Sequence, residues 1–402
     1  MNLKTKGGAL NGIRVLDLTR VLAGPFCTML LGDMGAEIIK IEVPGQGDDS
    51  RRYPPFIGEE SAYFMNLNRN KKSVVLNLKH PKAKAIFLDL VERSDVVIEN
   101  FRPGTMEKLG LGYDTLKARN SRIVYSCISG FGHSGPYKNL PGYDIIGQAM
   151  GGIMSITGWP DSPPTRTGTA IADVLAGLSA CIGILTSLLA VRNGRAGQKV
   201  DIALVDSVVS AMETIIQIYL VENREPQRTG NRYEFIYPYD TFRAQDGWVI
   251  IAVGNNKLWE TFCNAIDRPD LLADHAFQDN YDRVKGHQEV KRIVENWTEK
   301  KNVREIVDFL LARKIPCAPI YSVKEVVEDE HIAKARRMIR EVEHPIAGPV
   351  KVIGSPVNLS ETPPEVNSPA PILGQHTEST LKDILGLRPD ELSSLKDENA
   401  IG

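Results

Sequence analysis

Apolar, β-branched runs return repeatedly through the first third of the chain, and their spacing restricts the fold more than any other feature. Residues 13–18, 37–42, 73–78, 95–100 and 122–127 read as strands, with helical patterns at 23–34 and 83–93 between them. Strands that alternate with helices are joined by crossovers, and crossovers build a parallel sheet covered by helices on both faces. The expected fold class is α/β, with a Rossmann-like, doubly wound large domain. Between 43 and 70 the alternation stops in a loop rich in Gly, Pro, Asp and aromatic residues. A connection of that length inside a compact domain is usually functional or interface-forming.

Further along, long helices are expected at 170–192 and 204–222, on either side of a strand at 199–203. The character then changes to a polar, Arg- and Tyr-rich stretch that reads as a linker. Beyond it, strands near 241–244 and 248–253 and helices near 258–266, 281–300 and 303–314 form a second, smaller α/β unit that ends around Asp329. A Pro-rich strap at 361–371 and a terminal helix at 377–385 complete the chain. The organisation expected is a large domain from 1–222, a linker at 223–238, a small domain at 239–329, and a return strap with the C-terminal part of the large domain at 330–402. A length of 402 residues accommodates two or three domains.

Charge and cysteine usage narrow the function classes. With 48 basic and 50 acidic side chains the formal net charge is -2, which argues against nucleic acid or a membrane surface as partner. Cys27, Cys127, Cys181, Cys263 and Cys317 are scattered without a C-x-x-C pair, so neither a disulfide framework nor a zinc knuckle is expected. The first ten residues lack the apolar core of a signal peptide. Asp173, Gly177, Ser179, Gly183, Thr186 and Ser187 interrupt the most apolar stretch, which reads as a buried helix and not a membrane span. A cytoplasmic protein is expected.

Motifs exclude more than they select. G-x-x-x-x-G-K-[ST], G-x-S-x-G, H-E-x-x-H and an early G-x-G-x-x-G are all missing, and the seven histidines never adopt metal-ligand spacing, so no metal is expected. Ser129-Gly130-Phe131-Gly132-His133-Ser134-Gly135-Pro136 follows a strand, where open α/β sheets bind ligands; a tight turn with nothing bound is an equal alternative. Taken alone, Asp173 at the start of a helix reads as a charge favoured by the helix dipole.

Several stretches in order along nearly the whole chain resemble the family III coenzyme A transferases, the CaiB/BaiF family, which includes carnitine, formyl-CoA and oxalate transferases and 2-methylacyl-CoA racemase. They are 14–17 with Leu22-Ala23-Gly24-Pro25, 31–42 running into 45–51, 67–73, 97–104, 109–114, 126–136, Gly142-Tyr143-Asp144, 168–178 and Leu373-Gly374-Gln375-His376-Thr377. The resemblance implies an obligate homodimer of two interlocked rings. It also implies acyl-CoA and a small carboxylic acid as substrates, with no cofactor beyond coenzyme A itself.

By the same resemblance Asp173 is the catalytic carboxylate, passing through an aspartyl mixed anhydride and an aspartyl-CoA thioester. Tyr143 occupies the place where the racemase branch carries a general-base His. Tyrosine titrates near 10 and is a poor base, so a transferase is expected, with racemase or epimerase and a non-catalytic CoA-binding relative as alternatives. CoA contacts are implied at Arg20, Leu76, Lys79, Asn100, Phe101, Arg102 and Lys108, with Val43 where relatives use Arg beside adenine. Leu22, Tyr53 and Tyr63 fall at substrate positions, and Gly254 and Asn255 at a lid loop. Arg51 or Arg52 is a candidate clamp for a second carboxylate. The stretches at 158–168 and 227–232 are most similar to acetyl-CoA:oxalate and succinyl-CoA:dicarboxylate transferases, which points to a short dicarboxylic acid.

Overall fold

The computed structural model describes residues 7–402. The chain divides into two compact units: one takes the residues up to Ile153, Arg166–Asn223 and Glu330–Gly402, the other Met154–Thr165 and Arg224–Asp329.

The first unit is organised by six strands: β1 (Arg14–Asp17), β2 (Glu37–Glu42), β3 (Lys71–Val75), β4 (Val96–Glu99), β5 (Val124–Ser129) and β6 (Lys199–Ala203). All pair in parallel, in the order β3-β2-β1-β4-β5-β6. Leu16 sits in register with both Ile39 and Val97, so β1 is a central strand. Because helices cover both faces, neighbouring strand residues are apolar on both sides. Val15, Ile38, Val96 and Val124 pack into one core with helices Ala23–Asp33 and Ile171–Arg192. Leu16, Ile39, Val97 and Tyr125 pack into the other with Phe87, Leu90, Leu381 and Leu392.

The order reverses direction between β1 and β4. Connections there leave toward opposite edges and open a crevice beyond the strand ends, the usual ligand position in such sheets.

Helix Ile171–Arg192 is long and apolar enough to cross a membrane by composition, with a mean hydropathy of 2.3. Here one of its faces, with Ala172, Ala176, Ala180 and Ile184, is a wall of the core. At Gly177 the contact is so close that a Cβ would stand 2.6 Å from the carbonyl oxygen of Ala23. The opposite face leaves Leu178, Ile182 and Leu189 exposed.

Several sequence expectations differ from the structure. The third strand begins at Lys71 and not 73, because Lys71 and Ser73 are fully buried polar residues with partners inside the unit. The helix expected at 204–222 is two, Leu204–Ala211 and Glu213–Glu222, bent by 76°. A hairpin of Ile339–His344 and Gly348–Ile353 and a last helix, Pro389–Asp397, were not legible. The chain's end returns to the sheet: Ile401 bridges Leu76, and the Asn77 amide donates to the Ala400 carbonyl at 2.9 Å.

The second unit has a three-stranded antiparallel sheet of Tyr239–Arg243, Trp248–Ala252 and Cys317–Pro319, with Trp248–Ala252 central. Its core gathers Phe242, Val249, Ile251, Trp259, Phe262, Val294, Ile306 and Leu310. Arg224 onward belongs to this unit, and Tyr237, read from sequence as linker, is fully buried in its core. The helix expected at 281–300 breaks at Gly286 into Asn280–Lys285 and His287–Thr298.

Candidate active site

The site is built on buried charge at the end of β1. Asp17 accepts hydrogen bonds from the Thr19 amide at 2.9 Å and the Thr28 hydroxyl at 2.7 Å, and pairs with Lys71 at 3.1 Å. Burial works against the Asp17 carboxylate, but Lys71 and Lys40 outweigh it and hold it below the usual range. Burial pushes the Lys71 ammonium down to about 8. Lys40 spans from the Thr19 carbonyl, at 2.7 Å, to Asp48 at 2.9 Å. Asp48 in turn accepts from the Ser50 and Val21 amides at 2.9 and 3.1 Å.

These contacts fix the turn that carries Arg20 and Leu22. Val21 within it has φ +66°, which a β-branched residue adopts only under constraint. Asn100, at the end of β4, completes the clamp. Its side chain accepts from the Arg20 amide and donates to the Arg20 carbonyl, both at 2.8 Å, and so ties β1 to β4 across the crevice.

Two cavities open here. One of about 390 Å³ is lined by Leu18, Arg20, Val43, Leu76, Lys79 and Phe101. Another of about 300 Å³ is lined by Arg20, Leu22, Tyr53, Asn100, Tyr143 and Asp173. Arg20 is shared between their walls. Its guanidinium lies 5.4 Å from the Phe101 ring centroid and 3.0 Å from Asp49. Loop segments cross backbone to backbone at the second cavity: a Cβ on Gly130 would lie 2.7 Å from the Gly142 Cα, so glycine is required there.

The remaining sequence candidates lie outside both linings. Arg102 and Lys108 are exposed on the turn and short helix after β4. Arg52 is 53% exposed and paired with Asp49, while Arg51 is engaged by both oxygens of Glu42. Tyr63 stands behind Tyr53, edge to face at 5.7 Å between centroids. Its hydroxyl is pushed up to about 12 by burial, with the Asp173 charge adding. Gly254 and Asn255 belong to the second unit, where the Asn255 side chain caps helix Asn256–Ala265 by accepting from the Leu258 amide at 2.9 Å.

Asp173 stands in the first turn of Ile171–Arg192. Among the described residues no side chain donates a hydrogen bond to its carboxylate. Burial first, and the Asp144 charge second, push it up to about 7. Asp144, which the sequence offered only as part of a motif, is directly connected to it. One Asp144 oxygen accepts from the Ala172 amide at 2.8 Å and the Asp173 amide at 3.3 Å; the other accepts from Gln148 Nε2 at 2.7 Å. Gln148 is fully buried and accepts from the Thr167 amide at 2.9 Å.

Glu99, Cys127 and His133 bring ligand-type atoms within 4.8 Å of one another. His133 Nδ1 already faces Lys199 Nζ at 3.1 Å, and Glu99 accepts from the Tyr125 hydroxyl and the Phe101 amide. With those contacts made, the cluster reads as a polar network at the ends of β4 and β5.

Comparison with known proteins matches the chain to a family. The chain is 41% identical over 386 residues to succinyl-CoA:mesaconate CoA-transferase of Haloarcula hispanica, covering 94% of this chain and 96% of that one. It is 39% identical over 354 residues to acetyl-CoA:oxalate CoA-transferase of Acetobacter aceti, covering 88% and 90%. The crystal structure of a CaiB/BaiF family protein from Brucella suis superposes with a TM-score of 0.84 at 34% identity, over 94% of this chain and all of that one. A family model matches residues 10–377, and the chain belongs to CoA-transferase family III.

Proposed function

We propose that this enzyme moves CoA from an acyl-CoA donor to a small dicarboxylic acid, with Asp173 as the covalent carrier. The observation that carries the reading is a desolvated carboxylate to which none of the described residues donates a hydrogen bond, on the wall of one cavity that shares Arg20 with a second. Such a carboxylate is a stronger nucleophile than a solvated one. Its oxygen attacks the thioester carbonyl; the C–S bond breaks, CoA leaves as thiolate, and a mixed anhydride remains on Asp173. The thiolate attacks the Asp173 carbonyl, releasing the donor acid and leaving an aspartyl-CoA thioester. The acceptor carboxylate displaces the thiolate to form a second anhydride. The thiolate then opens it at the acceptor carbonyl, and the Asp173 carboxylate returns with no net proton change.

Tyr143, 77% exposed on the cavity wall, offers no general base opposite Asp173, which weighs against the racemase reading. In the other cavity, Leu76, Lys79 and Phe101 are proposed to meet CoA, with Arg102 and Lys108 reached by its phosphates. Asn100, on the wall of the Asp173 cavity, acts on both cavities through its grip on the shared Arg20. The relatives' names specify mesaconate and oxalate, both dicarboxylic acids. Arg20 is the basic residue on the Asp173 cavity wall, and we assign it the acceptor's distal carboxylate. Arg20→Met is expected to raise the KM for succinate about tenfold or more with little change for acetate, while Arg52→Met leaves both within about twofold. Equal effects of the two substitutions would remove this assignment.

The exposed Leu178, Ile182, Leu189, Leu220 and Val221 are the faces proposed to close against a second copy in an interlocked homodimer. Gly254 and Asn255 are proposed as a lid. A cytoplasmic enzyme without metal completes the reading. Its test pools acetyl-, succinyl- and formyl-CoA against oxalate, succinate, glutarate, malate and mesaconate, with products read by mass spectrometry. A new acyl-CoA from a dicarboxylic acid is expected, and no new thioester in any pairing would overturn the transfer reading.

A further inference from the structure

The start of a helix exposes backbone amides that have no partner within the helix, and an acidic side chain in the first turn is well placed to accept from them. Such a bond stabilises the carboxylate anion and weakens it as a nucleophile. Asp173 is in that position, and the Ala170 N-cap supplies no side-chain bond. Yet the Ala172 and Asp173 amides are taken by Asp144, from the first turn of another helix, Asp144–Met150. The cap therefore comes from a different part of the chain. Its second oxygen is held by Gln148, which is fixed by the Thr167 amide in the loop leading to Asp173.

We propose that Asp144 is the positioning residue for the Asp173 nucleophile: it occupies the helix amides that would otherwise quench that carboxylate and sets its own carboxylate beside it. The role rests on Asp173 being the group that is acylated. Gln148 sets the orientation of Asp144, so the unit is Thr167, Gln148, Asp144 and Asp173 in series.

The other charged and titratable groups around Asp173 do not supply this effect. Tyr63, behind it, stays protonated, because burial and the nearby carboxylates push its hydroxyl up to about 12. Arg20, Asp49, Tyr53 and Tyr143 share the cavity wall, but none donates a hydrogen bond to Asp173 among the described residues. From helix Leu204–Ala211, packed on the Asp144 helix, the contact at Gly147 is the apolar Leu204.

Two substitutions at Asp144 separate charge from capping. Asp144→Asn keeps an oxygen for the helix amides and removes the charge. Asp144→Ala removes both and frees the amides for Asp173. Carbodiimide labelling of Asp173 across pH, read by peptide mass spectrometry on the full chain without substrate, reports its titration directly. The labelling midpoint is expected to fall by about one pH unit in Asp144→Asn and further in Asp144→Ala, with transfer slowed about tenfold in the former.

A midpoint that stays at the parental pH in folded Asp144→Asn would overturn the proposal. A purely structural role also predicts an unmoved midpoint, with loss of activity following loss of stability. If Asp144→Ala fails to fold, the Asn variant alone decides. If the midpoint shifts but the parent enzyme transfers CoA to no acid, the positioning stands and the transferase reading falls.

Discussion

Asp173→Asn should lose CoA transfer by roughly a thousandfold or more and at the same time be more stable than the parent at pH 8. The loss follows because every step of the proposed exchange passes through that carboxylate. The gain follows from linkage. In the unfolded chain an aspartate titrates near 3.9, whereas here burial and Asp144 push Asp173 up to about 7. Between those values the folded state holds the proton and the unfolded state does not, so stability falls as pH rises through the window and levels off above it. An uncharged amide is free of that dependence. The expected gain is on the order of 2–4 kcal/mol at pH 8, shrinking to nothing below about pH 4. Denaturant titrations of both proteins at pH 4, 6 and 8 check this, and parallel stability curves across pH would count against the raised carboxylate.

The second large effect is expected at Asp48, a residue on the wall of the proposed CoA cavity that takes no part in the bond-making steps. Asp48→Asn leaves Lys40, fully buried, without its ionised partner. Removing one member of a buried pair typically costs about 3–5 kcal/mol. The same substitution loosens the Val21 turn and with it Arg20 and Leu22 on the cavity walls, so the KM for the acyl-CoA rises as well. The Asp48 carboxylate is held far below the ordinary carboxylate range: burial opposes this, but Lys40 and the Ser50 hydrogen bonds prevail. With a depressed value in the fold, its contribution is fully present above about pH 4 and is lost as pH falls further. The difference between the parent and Asp48→Asn should therefore be constant from pH 5 to pH 8. A variant within about 1 kcal/mol of the parent, with unchanged KM, would mean that Lys40 finds another partner without strain.

The alternation that announces the parallel sheet was legible because its strands are apolar on both faces; Val15 and Leu16 serve different cores yet look alike in sequence. The same rule misplaced the third strand, where Lys71 and Ser73 are interior residues that read as surface ones. Asp173 and Tyr143 could be singled out by motif. Lys40, Asp48 and Gln148 could not, since their significance lies in partners far along the chain or in burial that periodicity does not report. For the carboxylate clamp, sequence offered Arg51 or Arg52, whereas Arg20 is the arginine that lines the Asp173 cavity. A guanidinium's neighbours, not its place in a loop, decide which arginine is at hand.

Leu76 lines the larger cavity and is bridged by Ile401. During synthesis a ribosome releases the strand ends of β1 to β4 long before it delivers that bridge. The backbone at Leu76 and Asn77, just past the end of β3, therefore waits for its partners Ile401 and Ala400 until residues far along the chain have been made. Among the described residues that segment contributes none of the cavity's lining, so its docking steadies the backbone beside Leu76 and leaves the lining itself to residues between Leu18 and Leu109.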